Sequence, residues 1–125
     1  MKSLEADLHI HTIYSYDSFL KPKTVIKVAL KRGLSAIAIT DHNTIEGSMA
    51  ITREATSLNN LVIIPGVEVK TDVGDIIGLY VQEEIKEREF CEVVDNIKRQ
   101  GGLVVLPHPY LSLIHISEPT RPLYI

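Results

Sequence analysis

Apolar residues recur along the chain with two periods that take turns. From Leu4 to His11 they alternate with polar ones, which predicts a strand with Leu8 and Ile10 on one face and Asp7, His9 and His11 on the other. From Pro22 to Arg32 the period becomes helical: Val25, Ile26, Ala29 and Leu30 form a stripe, Pro22 suits the first turn and Gly33 the stop. Ser35 to Thr40 is a short, mostly apolar run, as expected of a buried parallel strand. A second helix is expected from about Ile45 to Leu58, and a third strand over Leu61 to Ile64, closed by Pro65-Gly66. Val67 to Val81 breaks the rhythm, because VEVKT and IIGLYV read as two strands joined by a turn at Asp72 to Asp75. A helix follows near Glu87 to Gln100 with Phe90, Val93, Val94 and Ile97 on one face; Gly101-Gly102 ends it and LVVLP is the next strand. Such alternation of strand and helix demands an α/β fold with a largely parallel sheet, open or closed into a barrel.

Composition narrows this picture only a little. A chain of 125 residues with 45% hydrophobic and 23% charged residues suits one domain with a real core. The net charge of -3 disfavours nucleic acid as a partner in bulk, because there is no basic excess to neutralise phosphates. It leaves room for a small phosphorylated substrate. The single cysteine, Cys91, excludes an intrachain disulfide, fits a reducing cytoplasm and, within a helical pattern, reads as a small buried or half-buried apolar residue. Neither a signal peptide nor a membrane span is legible, so a soluble cytoplasmic protein without a membrane partner is expected.

The candidate chemistry lies where strands end. His9 and His11 close the first strand, Asp41-His42 the second, Glu68 follows the third and His108 the fourth apolar run. Parallel strands bring their C-terminal ends to one rim, so these side chains converge. An H-x-H pair puts two imidazoles on one face, within reach of a single cation, and Asp17 and Glu68 add hard oxygen donors able to bridge two metals. The set therefore reads as part of a multi-metal hydrolytic site. For Asp7 and Asp41 two roles stand open: orienting a ligand imidazole, or capping a strand end.

The strings DLHIHT (7–12), YSYDS (14–18), ITDHNTIEG (39–47), PGVEV (65–69) and LPHP (106–109) resemble, in order and rough spacing, the successive motifs of the PHP (polymerase and histidinol phosphatase) family. The resemblance implies the N-terminal portion of a distorted (βα)7 barrel, three divalent metals (zinc, manganese or iron) and hydrolysis of a phosphate ester by a metal-activated hydroxide. It implies that His9, His11 and Glu68 bind one metal, that Glu68 bridges to a second held also by His108, and that Asp17 and His42 help bind the third. The substrate class this leaves is a small phosphorylated metabolite, a nucleotide or an oligonucleotide end.

The resemblance stops at Tyr110. The family's later ligands, a further histidine and an Asp-x-His pair, are absent, and Leu111 to Arg121 (LSLIHISEPTR) matches, letter for letter, the translation of a transposase adaptor used in sequencing libraries. Residues 1–110 are thus expected to be a partial, truncated PHP domain and 111–125, His115 included, a foreign tail. Half a barrel would leave strand edges unpaired, so the isolated chain is expected to be poorly stable and at best weakly active. Two other functions compete. An amidohydrolase also opens with H-x-H, but usually draws its later ligands from other motifs. A non-catalytic PHP-like module associated with a polymerase or nucleic-acid complex is opposed by the intact candidate ligands.

Overall fold

The computed structural model describes residues 4–56 and 60–107, together with the backbone of 123–124. In chain order the elements are β1 (Ala6–Ile10), α1 (Pro22–Lys31), β2 (Ala36–Ile39), α2 (Glu46–Glu54), β3 (Val62–Thr71), β4 (Gly74–Leu79), α3 (Phe90–Arg99), β5 (Leu103–Leu106) and β6 (Leu123–Tyr124). They form one six-stranded sheet whose spatial order is the chain order. The β1–β2 and β2–β3 pairs are parallel, β3–β4 and β4–β5 antiparallel, and β5–β6 parallel. The fold is α/β, as the alternation of periods demands.

Three apolar clusters show how the sheet is covered. Val25, Ile26 and Ala29 of α1 pack with Ile37 and Ile39 of β2 and Ile51 of α2. Phe90, Val93, Val94 and Ile97 of α3 pack on Val67, Val69, Ile76, Val104 and Leu106. The third cluster contains no helical residue: Ala38, Ile64, Ile77, Leu79 and Val105, with Leu8 and Ala36 against them. Strands β1 to β5 meet there, so the sheet is curled, with helices outside and a strand-only layer inside. Proline in the first turn and glycines at φ +73° (Gly33) and +78° (Gly101) after α1 and α3 set the helix limits read from sequence.

Three details depart from the sequence expectation. First, β1 does not alternate cleanly. Asp7 lies opposite Ile37 and Ile10 opposite Ile39, so β1 carries one extra residue between them. Leu8 consequently packs in the inner cluster and Ile10 in the outer one, and the two do not share a face. Second, Pro65-Gly66 does not close a strand. β3 runs ten residues straight through it, because the chain changes partner there, from parallel β2 (up to Pro65) to antiparallel β4 (from Gly66). The N–H that proline lacks falls where one ladder gives way to the other. Third, Cys91 is exposed, since α3 buries Phe90, Val93, Val94 and Ile97 and turns position 91 away.

The partner switch explains Gly66. A Cβ there would lie 2.8 Å from the Gly78 carbonyl oxygen and 3.0 Å from that of Ile39, both backbone atoms. Gly66→Ala is therefore expected to cost about 1–3 kcal/mol, read as a lower urea midpoint at unchanged m-value. An unchanged midpoint would show that the two ladders can separate freely.

Candidate metal centre

The rim at the C-terminal ends of β1 and β2 gathers most of the residues singled out above. The extra residue in β1 lies between Asp7 and Ile10, yet His9 and His11 share a face, both turned toward Glu68 on the inner side of β3. There Glu68 sits two residues after the switch, one full alternation along from Gly66, and only 2% exposed. Both imidazoles reach the same carboxylate oxygen: His9 Nε2 lies 2.9 Å and His11 Nε2 2.8 Å from Glu68 Oε1. The other ring nitrogen of His11, Nδ1, is 3.1 Å from each oxygen of Asp17. Asp17 Oδ2 is in turn 2.9 Å from His42 Nε2. Two triads result, His9–His11–Glu68 and His11–Asp17–His42, each with its donor atoms within 4.8 Å of one another and joined through His11. The neighbouring cleft is lined by His9, His11, Asp17, Ser18 and Leu20.

Electrostatics follow from this geometry. Burial alone would raise the Glu68 carboxyl, but hydrogen bonds from His11 and His9 and the charges of His9 and His42 outweigh it and hold it well below the usual carboxylate range. His11 is raised, chiefly by its hydrogen bond to Glu68, with burial opposing and Asp17 adding to the rise. For Asp17, burial pushes up, but hydrogen bonds with Ser15 and the two imidazoles, together with the His11 charge, bring it below its ordinary value. A buried ionised carboxylate needs positive charge beside it, and here its partners are two imidazoles converging on one oxygen. That donor set of two nitrogens and one oxygen fits a divalent cation. With Nδ1–H donating to Asp17, the Nε2 lone pair of His11 is left to face such a cation.

Neither Asp7 nor Asp41 is hydrogen-bonded to an imidazole: Asp7 pairs with backbone, and Asp41 with the backbone and hydroxyl of Thr12. Asp7 Oδ1 accepts from the N–H of His9, 3.1 Å away. Asp41, fully buried, accepts from the Thr12 hydroxyl at 2.6 Å and from the Thr12 N–H. Its carboxyl is raised by burial, with both Thr12 hydrogen bonds pulling the other way. His108, the remaining candidate ligand, lies outside the described residues, as does the expected foreign tail 111–125, His115 included, apart from the backbone of Leu123–Tyr124.

Of the residues that hold the site, Ser15 and Asn43 lie within the motifs and Glu84 outside them, and the part of none of the three was legible. Ser15 Oγ accepts from the His42 N–H at 3.1 Å. Asn43 occupies the left-handed region at φ 57°, which asparagine tolerates. Its N–H donates to the Glu68 carbonyl at 2.8 Å, and its Oδ1 accepts from Lys70 N at 3.0 Å. The loop after β2 is thereby fixed to β3, with His42 beside Glu68 in an isolated parallel bridge. Glu84 holds the same loop from the far side, accepting from Ile45 N and the Thr44 hydroxyl.

Residues 7–117 match the sequence profile of the PHP domain. The match spans most of the chain and overlaps residues 111–117 of the tail, and the protein belongs to the PHP domain family. It is similar to an uncharacterised protein of Methanocaldococcus jannaschii, 42% identical over 118 residues that cover 86% of this chain and 68% of the relative. A second uncharacterised protein of that organism is 38% identical, with 86% of this chain and 40% of the relative covered. The 5'-3' exoribonuclease Rnm of Salmonella typhimurium is 40% identical over 67 residues, 52% of this chain and 22% of the enzyme. Among solved structures, a protein of Bifidobacterium adolescentis assigned as a metal-dependent phosphoesterase superposes with a TM-score of 0.55 at 29% identity, covering 62% of this chain and 28% of that one. An amidohydrolase of Chromobacterium violaceum, with bound sulfate and no metal, gives 0.55 at 27% identity, with 76% and 32% covered. The chain thus spans about a third of these solved proteins. Among the described residues, no helix is long and apolar enough to cross a membrane.

Proposed function

We propose that the protein is a metal-dependent phosphoesterase acting on a phosphorylated metabolite, a nucleotide or an oligonucleotide end. One observation carries the reading: the His9 and His11 imidazoles converge on a single buried oxygen of Glu68, with the His42–Asp17 pair joined to them through His11. His9, His11 and Glu68 would hold one divalent ion, and Asp17 with His42 would help hold another. Bound there, such ions supply Lewis-acid polarisation of a phosphoryl oxygen and a lowered pKa for water. The chain's own residues do the rest. Glu68 stays ionised beneath the imidazoles, Asp17 fixes the His11 tautomer, and Tyr16 stacks on His42 with ring centroids 4.7 Å apart, restricting that imidazole's rotation.

The PHP-domain match over residues 7–117 favours phosphoester over carbon–nitrogen hydrolysis. His9→Ala is expected to lower the divalent metal content of the purified protein and to reduce hydrolysis of an aryl phosphate by about a hundredfold or more. Circular dichroism would verify that the variant folds. Unchanged turnover in a folded variant would sink the assignment.

A further inference from the structure

The charge of the chain is segregated. Between Ser18 and Thr40 lie five cations, Lys21, Lys23, Lys27, Lys31 and Arg32, and no acidic residue. All five are exposed, and among the described residues none makes an ion pair. The overall charge of -3 conceals this patch because acidic residues concentrate elsewhere, Glu83 to Asp95 above all.

The basic end of α1 adjoins the candidate metal centre. Lys21 and Lys23 come directly after the loop that carries Asp17, whose ends are drawn together by a 2.8 Å hydrogen bond from Ile13 N to the Leu20 carbonyl. With Tyr14 from that loop and Arg53 from α2 they line a groove between the two helices, where Glu54 is the opposing charge. Tyr16, in the same loop, is 85% exposed. One face of its ring lies on His42, at an interplanar angle of 29°, and the other is left to solvent.

We propose that this groove binds the phosphodiester backbone of a single-stranded nucleic acid, with Tyr16 stacking on the base of the nucleotide presented to the metal centre. The inference rests on the phosphoesterase reading above and narrows its substrate class. An exposed aromatic ring beside a groove of unpaired cations is the chemistry of single-strand binding, since exposed bases stack while phosphates pair with lysine and arginine. A duplex keeps its base faces hidden and gains nothing from Tyr16. Lys27, one turn beyond Lys23 and about 6 Å further along the axis, extends the cationic track by one phosphate.

The test is fluorescence anisotropy of a labelled single-stranded oligonucleotide against the protein in EDTA, so that binding is read independently of hydrolysis. Salt-dependent binding is expected. Lys21→Glu/Lys23→Glu should weaken it about tenfold or more and lower the slope of log affinity against log salt by about one to two. Tyr16→Ala should weaken it roughly five- to a hundredfold, and Lys98→Glu, on α3, should leave it unchanged. The proposal is overturned if the wild type does not bind, or if Lys98→Glu weakens binding as much as the groove variants. Equal affinity for a duplex, or for anionic vesicles through the same lysines, would also overturn it. Loss of aryl phosphate hydrolysis with binding intact would instead sink the phosphoesterase reading alone.

Discussion

Glu68→Gln is expected to leave the protein folded but unable to retain a divalent cation, with phosphoester hydrolysis lower by about a hundred- to a thousandfold. The substitution keeps the volume of a buried side chain and removes only its charge. The neutral amide can still pair with one of the imidazoles now 2.8 and 2.9 Å from Glu68 Oε1, so the cost in stability should stay near 1–3 kcal/mol, roughly that of one poorly satisfied buried group. Affinity for a cation should fall far more, because the hard, ionised donor is gone and the two imidazoles remain without a counter-charge. Asp17→Asn supplies the comparison. Its carboxylate is more exposed than that of Glu68 and belongs only to the second triad, so partial metal loss is expected where Glu68→Gln gives full loss. Elemental analysis of the two purified variants reads the difference. Full metal retention by Glu68→Gln would show that the carboxylate is only a structural partner of the histidines.

That comparison depends on features of unequal legibility. His9 and His11 could be paired from sequence because residues two apart share a face whatever happens before them. The extra residue of β1 leaves that relation intact, since both imidazoles reach Glu68 Oε1. It does not spare Asp7, Leu8 and Ile10, whose assignment assumed unbroken alternation; a bulge depends on how β1 registers against β2 and leaves no local mark. The same applies to Pro65-Gly66. A proline and a glycine in succession are ordinary signals for a strand end, and only the exchange of β2 for β4 as partner lets the strand continue through them. Asp41 illustrates the third kind of blindness. Strand-end placement was legible, but a carboxylate beside a histidine does not reveal that its partner is Thr12, 29 residues earlier.

Charge taken as a sum misleads in a similar way. The net value of -3 argued against a polyanionic partner, yet it averages an acid-free basic segment from Ser18 to Thr40 with an acidic remainder. Ionic screening acts over about 8–10 Å at physiological salt. A phosphate approaching Lys21, Lys23 and Arg53 therefore responds to the cations of that groove and only weakly to the distant acids of α3.

The second large effect is expected from a residue that touches no candidate metal. Gly47→Ala should destabilise the protein by about 2–4 kcal/mol and strip it of metal at the same time. Gly47 is buried in the first turn of α2. A Cβ there would overlap Asp41 Oδ2 and come within 2.6 Å of Thr12 Oγ1. Neither atom can step aside cheaply, because Asp41 is fully buried and its two Thr12 hydrogen bonds are what offset its burial. The chain connectivity then carries the disturbance to the rim: Thr12 directly follows His11, and Asp41 directly precedes His42. Separating Thr12 from Asp41 moves a member of each triad and strains the bridge between His42 and Glu68. A double-mutant cycle tests the route. In an Asp41→Ala background the first clash is gone and the Thr12 hydroxyl, released from its carboxylate partner, can rotate away from the second, so the cost of Gly47→Ala should shrink to about 1 kcal/mol or less, a coupling typical of residues in direct contact. Equal costs in both backgrounds would mean that Gly47 matters to α2 alone, and full metal occupancy in the single variant would mean that the Thr12–Asp41 contact does not position the histidines.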